Sequence, residues 1–240
     1  MNRTQNIIIR YLIFIFGLAI NAFGIALITK AGLGTSPISS VPYVLSLVLP
    51  SFSFGLWSFI INMLFILIQV LLLKKDFAPV QFLQIAANVL FSYGIDLAMN
   101  ILSFFSPASW ISSLAALVLG CAVLGLGIAF EVAPGVIMVP GEGMVSAISQ
   151  VSRLPFAAIK NLFDLSLMIT AAAISLLCTG TLSGIGTGTL ISAVLVGRFV
   201  SLFNSHLGIL ERIRGLADGA EADPVSETDE LEEVLVSGQI

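Results

Sequence analysis

The sequence predicts an all-α membrane protein with six transmembrane helices, arranged as two inverted three-helix repeats that each carry a short re-entrant half-helix. Three observations lead to this prediction. Hydrophobic residues make up 58% of the 240 residues and charged residues only 10%, against roughly 25% charged residues in soluble domains. Six apolar segments are long enough to cross a bilayer, and the sequence repeats weakly at an offset of 103 positions.

A transmembrane helix needs about 20 mostly apolar residues to cross a hydrocarbon core of about 30 Å. The first candidate resembles a secretory signal, because Arg3 and Arg10 precede its apolar run, but it is too long and lacks a small-residue cleavage motif. We therefore expect it to be retained as a span. The six predicted spans are Ile7 to Thr29, Phe54 to Leu73, Val80 to Leu102, Trp110 to Glu131, Phe156 to Cys178 and Ile185 to Asn204.

Two further apolar pieces are too short to cross a bilayer. Ser39 to Leu49 follows Pro37, and Glu142 to Val151 follows Pro140, so each piece is predicted to enter the membrane and stop. Counting them as full spans gives eight crossings instead of six. Loop charge favours six, because only Lys30 then lies opposite the basic side, which the positive-inside rule makes cytoplasmic. The basic residues at or towards that side are Arg3, Arg10, Lys74, Lys75, Arg153, Lys160, Arg198, Arg212 and Arg214.

The repeat indicates two related halves. Glycines and a proline are among the matching residues, and both residue types have specific backbone roles. Three spans per half is an odd number, so the second half must lie upside down relative to the first. The short pieces then enter from opposite faces and meet near the midplane, where carriers often bind their solutes. We expect Gly34, Pro37, Pro140 and Gly141 to shape these broken helices. The matching pairs are Gly17 and Gly120, Ala19 and Ala122, Gly24 and Gly127, Ile25 and Ile128, Ala26 and Ala129, Gly32 and Gly135, Pro37 and Pro140, Ser46 and Ser149, and Gly94 and Gly197.

Four stretches of the chain resemble the bacterial YczE/YyaS/YitT family of integral membrane proteins. They are GLGTSPISSVPYVLS at Gly32 to Ser46, VPGEG at Val139 to Gly143, FAAIKNLFD at Phe156 to Asp164 and GTLISAVLVG at Gly188 to Gly197. The likeness covers about residues 7 to 204. It implies a polytopic inner-membrane protein, of a kind described as uncharacterised or as a permease, and it brings no known substrate or catalytic residue.

Ionised side chains are costly inside a bilayer, so they are the first candidates for function. Asp96 lies on a polar stripe of the third span that either joins helices by hydrogen bonds or lines a hydrated path. Lys160 and Asp164 are one helical turn apart and are predicted to pair, although Lys160 can also snorkel to the interface. Asp164 falls opposite Asn62 in the repeat after a one-residue slip, so Asn62 is a candidate solute contact.

Glu142 begins the second short piece, where an acid either caps a helix or binds a ligand. Glu131 ends the fourth span on the same side, and it is either interfacial or faces a cavity shared with Glu142. The predicted solute-binding or ion-binding residues are thus Asp164, Glu142, Asp96, Asn62 and Lys160.

Other chemistries find little support in the sequence. His206 is the single histidine, which argues against multi-histidine metal sites and against an enzyme. Cys121 and Cys178 lie in apolar runs without metal-binding spacing. The glycine-rich loop Ser183 to Thr189 offers backbone amides to an anion, but it lacks a following lysine and a preceding strand, so we expect a flexible turn that leads into a closely packed helix. No basic patch indicates nucleic-acid binding, and no cofactor or metal is expected.

The predicted organisation is a first membrane repeat at residues 1–103, a second at 104–210, and an acidic tail at 211–240. The tail holds nine acidic and two basic residues, which predicts disorder, although residues 225–235 could form a short docking helix. The leading hypothesis is a small-solute permease of the bacterial cytoplasmic membrane, proton- or cation-coupled, with both termini in the cytoplasm. The alternative is a non-transporting accessory protein that binds another membrane component. Beyond the lipid bilayer and an unknown solute or ion, self-association is left open.

Overall fold

A computed structural model describes residues 3–221, and over this range the chain is helical, without a β-strand. Six of its helices are long and apolar enough to cross a bilayer, which confirms an all-α, multi-pass membrane protein. The six are α1, α3, α4, α5, α7 and α8 in chain order. The helices are α1 (Arg3–Lys30), α2 (Ser40–Val48), α3 (Phe54–Leu73), α4 (Leu83–Ile101), α5 (Trp110–Val132), α6 (Pro140–Ser152), α7 (Phe156–Thr179), α8 (Thr187–His206) and α9 (Gly208–Glu221).

The two proline-bounded pieces are helices that are too short to cross. A single 3₁₀ turn, Pro37–Ser39, leads directly into α2, and α6 begins at Pro140. Proline suits the first position of a helix, because its fixed backbone angle is helical and its missing N–H would have no partner there. At 1.5 Å per residue each short helix extends about 20 Å, which is less than the thickness of a bilayer core.

Helices α1 and α5 pack closely side by side through glycines. A Cβ atom on Gly24 would collide with the backbone of Leu124, and one on Gly127 would collide with the backbone of Asn21. The same relation holds between Gly17 and Glu131 and between Gly120 and Ile28. Residue numbers rise on one helix as they fall on the other, so the two helices are antiparallel. Position 24 plus 103 is 127, and position 124 minus 103 is 21, so the Gly24–Leu124 contact corresponds to the Gly127–Asn21 contact in the repeat. The Gly17–Glu131 and Gly120–Ile28 contacts correspond in the same way.

The helices form two groups. The core bundle consists of α1, α4, α5 and α8, in which α1 packs on α4 and α5, and α5 packs on α8. The short-helix bundle consists of α2, α3, α6 and α7, in which α3 packs on α2 and α6, and α7 packs on the same two helices. Each bundle therefore takes two helices from each half of the sequence.

The two bundles are joined unequally. Helices α3 and α4 pack along their length, whereas the corresponding pair α7 and α8 barely touch, although both are described in full. Side-chain chemistry accounts for this difference. Asn62 on α3 bonds Asn88 on α4, but the positions 103 residues later are Leu165 and Ile191, which cannot form a hydrogen bond.

Helix α9 changes the predicted boundary of the tail. Leu210 and Ile213 are buried against Ala129 of α5 and Ala133 just after it, and the side chain of Arg214 donates to Asn204 at 2.6 Å. Helix α9 ends at Glu221, so residues 211–221, which the sequence assigned to the disordered tail, are helical. Residues 222–240, including the segment 225–235 for which a docking helix was considered, lie outside the described residues.

We predict that Gly24→Ala destabilises the protein, because the added methyl group meets the Leu124 backbone at the α1–α5 crossing. Overpacking of this kind costs about 1–3 kcal/mol. Thermal unfolding of the detergent-purified protein, followed by tryptophan fluorescence, measures the change. The matched control is Gly197→Ala on α8, where a Cβ atom meets nothing within 4 Å. Equal unfolding temperatures for the two variants would contradict the role of the close crossing.

Candidate functional site

The N-termini of the two short helices meet. The side chain of Ile38, in the first turn of the Pro37–Val48 helix, lies where a Cβ atom on Gly141 of α6 would be. The first N–H groups of any helix lack partners within the helix, and each N-terminus carries a partial charge of about +0.5. The meeting point therefore combines free backbone donors with a positive potential.

Two extended arms lead from the core bundle to these N-termini. In the first arm, the carbonyl oxygen of Leu33 accepts from the Gly188 N–H of α8 at 2.8 Å. Gly34 has a φ of +122°, and a Cβ atom there would strike Thr189, so only glycine fits this position. The second arm, at Val136 to Val139, packs equivalently on the core bundle near α1 and α4. Each arm thus fixes the start of a short helix against the core bundle.

Three of the predicted site residues come together beside this meeting point. Lys160 of α7 donates to Oδ1 of Asp164 at 2.9 Å, and its Nζ is 4.0 Å from Oε1 of Glu142 in the first turn of α6. All three side chains are partly exposed, at between 22% and 27%. One ammonium group therefore lies between two carboxylates and is open to a solute on one side.

Two oxygen atoms at the helix starts are buried without a hydrogen-bond partner. They are Oγ of Ser36, which precedes the Pro37–Val48 helix, and Oε2 of Glu142. Ser36 is only 2% exposed, and it does not cap its own helix. Among the described residues only one other buried side-chain oxygen, in Asn6, lacks a partner. Buried polar groups are almost always paired with protein, water or ligand, so these two atoms are candidate contacts for a bound molecule.

Glu131 joins the site from the core bundle. This residue of α5 is 3% exposed, its Oε2 accepts from Asn21 of α1 at 2.7 Å, and its carboxylate interacts electrostatically with Glu142. Sequence reasoning left Glu131 either at the interface or facing a cavity shared with Glu142. The available signal was that Asn21 shares a face of the first span with Gly17 and Gly24, and that Glu131 lies on the small-residue face of the fourth span.

Asp96 and Asn62 lie elsewhere. Asp96 caps α3 from the side, because it accepts from the Gly55 N–H at 2.7 Å and from the Ser53 hydroxyl at 2.5 Å. Gln69, further along α3, donates to Pro140 at the start of α6. The 14 positions between Gly55 and Gln69 correspond to about 21 Å along the helix, so Asp96 is remote from the meeting point.

The polar stripe of α4 is occupied by contacts with α3. Asn88 accepts from Asn62 at 2.9 Å and donates to the carbonyl oxygen of Phe59 at 3.1 Å. Gln84 donates to Gln69 at 3.2 Å. These bonds agree with the interpretation in which the stripe joins helices. They also occupy the side chain of Asn62, which the repeat suggested as a solute contact.

The arrangement supports binding and ion pairing. Within residues 3–221, no group of three or more His, Cys, Asp and Glu side chains is placed to hold a metal ion. The site instead offers carboxylate acceptors, one ammonium group, a serine hydroxyl and backbone N–H groups. Groups of these kinds can bind a polar solute by hydrogen bonds and charge.

Comparison with known proteins identifies a family. Residues 8–205 match the family described as a family of unknown function (DUF6198), and the chain belongs to it. No curated protein matches the chain, and no solved structure matches it either. The matched range includes the site, both short helices and the six long helices, apart from the first residues of α1 and the last residue of α8.

We predict that Asp96→Ala lowers stability, because two donors at the start of α3 lose an acceptor. Hydrogen bonds to a charged group contribute about 1.5–3 kcal/mol each. Thermal unfolding in detergent tests this prediction, with Asp164→Ala as the comparison, since Asp164 bonds only the partly exposed Lys160. An Asp96 variant as stable as the Asp164 variant would rule out the capping role.

Proposed function

We propose that this member of the family is a small-solute permease of the bacterial cytoplasmic membrane that works by rocking one bundle against the other. The observation that carries this proposal is that four neighbouring ionisable residues are divided between the two bundles. Glu131 belongs to the core bundle, whereas Glu142, Lys160 and Asp164 belong to the short-helix bundle. A solute held among them contacts both moving parts, as alternating access requires.

The repeat supports an inverted, re-entrant architecture for this permease. Helices α1 to α4 correspond to α5 to α8 at the offset of 103, and the antiparallel α1–α5 contacts exchange under the same shift. A two-fold axis that relates antiparallel spanning helices is perpendicular to them and so lies in the membrane plane. The short helices then enter from opposite faces and meet through their N-termini.

The unequal junctions between the bundles supply a hinge and an opening. The α3–α4 junction is held by buried amide pairs and by Asp96, each contributing about 0.6 kcal/mol or more inside a membrane. The α7–α8 side has no equivalent bonds among the residues described, and Leu165 there is 52% exposed. Rotation about α3–α4 would open and close the α7–α8 side, which borders Lys160 and Asp164.

Loop charge and family resemblance support the proposed location. The positive-inside rule places Lys74 and Lys75 in the cytoplasm together with both termini. The resemblance to the YczE/YyaS/YitT proteins extends over nearly the residues that the matched family covers, so we propose that the two groups are related. That relation would agree with an inner-membrane permease.

We predict that cysteines at positions 165 and 191, in a background of Cys121→Ala and Cys178→Ser, react with both short and long bifunctional thiol reagents. The two positions correspond to Asn62 and Asn88, which touch in the first half. A junction that opens and closes should pass through both separations in native membranes. Gel mobility after proteolysis between α7 and α8 measures the cross-links.

The single-cysteine proteins control for reaction with other thiols. Reaction with the long reagent alone would show a fixed separation and would contradict rocking. Cells with and without the protein are expected to retain different amounts of some metabolites. Cross-linking the protein in the cells should abolish this difference, and reductive cleavage of the linker should restore it.

We predict that Asp164→Asn reduces transport without preventing membrane insertion. The change removes the negative charge that pairs with Lys160 at 2.9 Å but leaves the size of the side chain nearly unchanged. An untargeted comparison of metabolites, in cells that produce equal amounts of inserted protein, measures the effect. Unchanged metabolite levels relative to the parent protein would remove Asp164 from the mechanism.

A further inference from the structure

We propose that the meeting point of the two short helices binds a small zwitterion, a solute with a carboxylate and an ammonium group close together, as in an amino acid. This inference deepens the proposed permease function and rests on it. It follows from the two unpartnered buried oxygens, which lie at the starts of the two helices and require different chemistry.

The anionic end of the solute is assigned to the helix N-termini. The Ile38 N–H is free at the start of the Pro37–Val48 helix, and the Gly141 and Glu142 N–H groups are free at the start of α6, because the next N–H of each helix already bonds the backbone. Each start carries a partial positive charge, and the Ile38–Gly141 contact brings the two starts together. The buried Ser36 hydroxyl, which has no acceptor in the described structure, adds a donor beside them. A carboxylate accepts several hydrogen bonds at once and so satisfies this set of donors.

The cationic end of the solute is assigned to Glu142. Its Oε1 is 4.0 Å from Lys160, beyond hydrogen-bond distance, and its Oε2 has no donor at all. Lys160 is held by Asp164, so it does not complete the shell of Glu142. An ammonium group has three donors and can reach the free oxygen of Glu142 while its own carboxylate remains at the helix starts.

Charge balance favours a solute without net charge. Glu142, Asp164 and Lys160 together carry one negative charge, and the two N-termini offset it with about half a positive charge each. The count leaves out Glu131, which interacts electrostatically with Glu142 and accepts a hydrogen bond from Asn21 on the core bundle. A zwitterion fills both halves of the site without adding net charge to a low-dielectric region, whereas a simple anion or cation leaves one half unpaired.

Ligand-dependent stabilisation of the purified full-length protein in detergent tests the inference. The twenty L-amino acids are screened for an increase in unfolding temperature, and each one that binds is compared with its deaminated acid and its decarboxylated amine. For alanine the matched compounds are propionate and ethylamine. We expect at least one amino acid to stabilise the protein, and its two matched compounds to bind at least about 10-fold more weakly by calorimetry, the loss expected for one charged hydrogen bond.

Substitutions at the two orphan oxygens assign the two ends. Ser36→Ala and Glu142→Gln should each weaken binding of the amino acid about 10-fold, and Glu142→Gln should leave any residual affinity for the acid unchanged. The matched control is Ser46→Ala on the same short helix, because that hydroxyl is already bonded to Tyr43.

Two results would overturn the inference. The first is that no amino acid stabilises the protein. The second is that the deaminated acid or the decarboxylated amine binds as tightly as the amino acid. Either result leaves the permease proposal standing as long as the thiols at positions 165 and 191 react with both reagents. Reaction of those two thiols with the long reagent alone would instead contradict the permease proposal itself, even if an amino acid binds.

Discussion

The structure depends on satisfying backbone hydrogen bonds inside a bilayer. A continuous helix satisfies its own N–H and C=O groups, but a helix that begins within the membrane leaves its first N–H groups free, and lipid supplies no acceptor. In the proposed re-entrant arrangement the two short helices create this requirement twice, at starts that meet at Ile38 and Gly141. The two arms, Gln69 of α3 and the Lys160–Asp164 pair of α7 lie beside that meeting point. A ligand that accepts hydrogen bonds resolves the same requirement.

The two halves of the chain share their backbone plan and differ in their polar side chains. Matching elements place the glycines of α1 and α5 in equivalent contacts, which a common ancestor of the halves would explain. The amides that join α3 to α4 are replaced by apolar residues between α7 and α8, such as Leu165 and Ile191. One junction is therefore held by directional bonds and the other by none. In the proposed mechanism this difference sets where the protein bends.

Much of the fold could be predicted from the sequence, because length and hydropathy determine spanning helices directly. Pro37 and Pro140 indicated where the short helices begin, and the i,i+4 spacing indicated the Lys160–Asp164 pair. The role of Asp96 could not be predicted, because it depends on which helix end lies beside α4. The repeat alignment that placed Asp164 opposite Asn62 also did not predict the role of Asn62, because Asn62 bonds Asn88 at the α3–α4 junction. Glu131 joins the site only through the crossing of α1 and α5.

The apolar face of α7 has a further consequence for the protein in its membrane. Leu165 and Ile169 are exposed beside the unjoined α7–α8 side, where acyl chains are the available filler. Closing that side, in the proposed mechanism, displaces those chains and reduces the area that the protein occupies in the bilayer. Lateral pressure and acyl-chain order would then act on the conformational equilibrium as a solute does, so the lipid composition of the cell would help to set the rate at which the protein turns over.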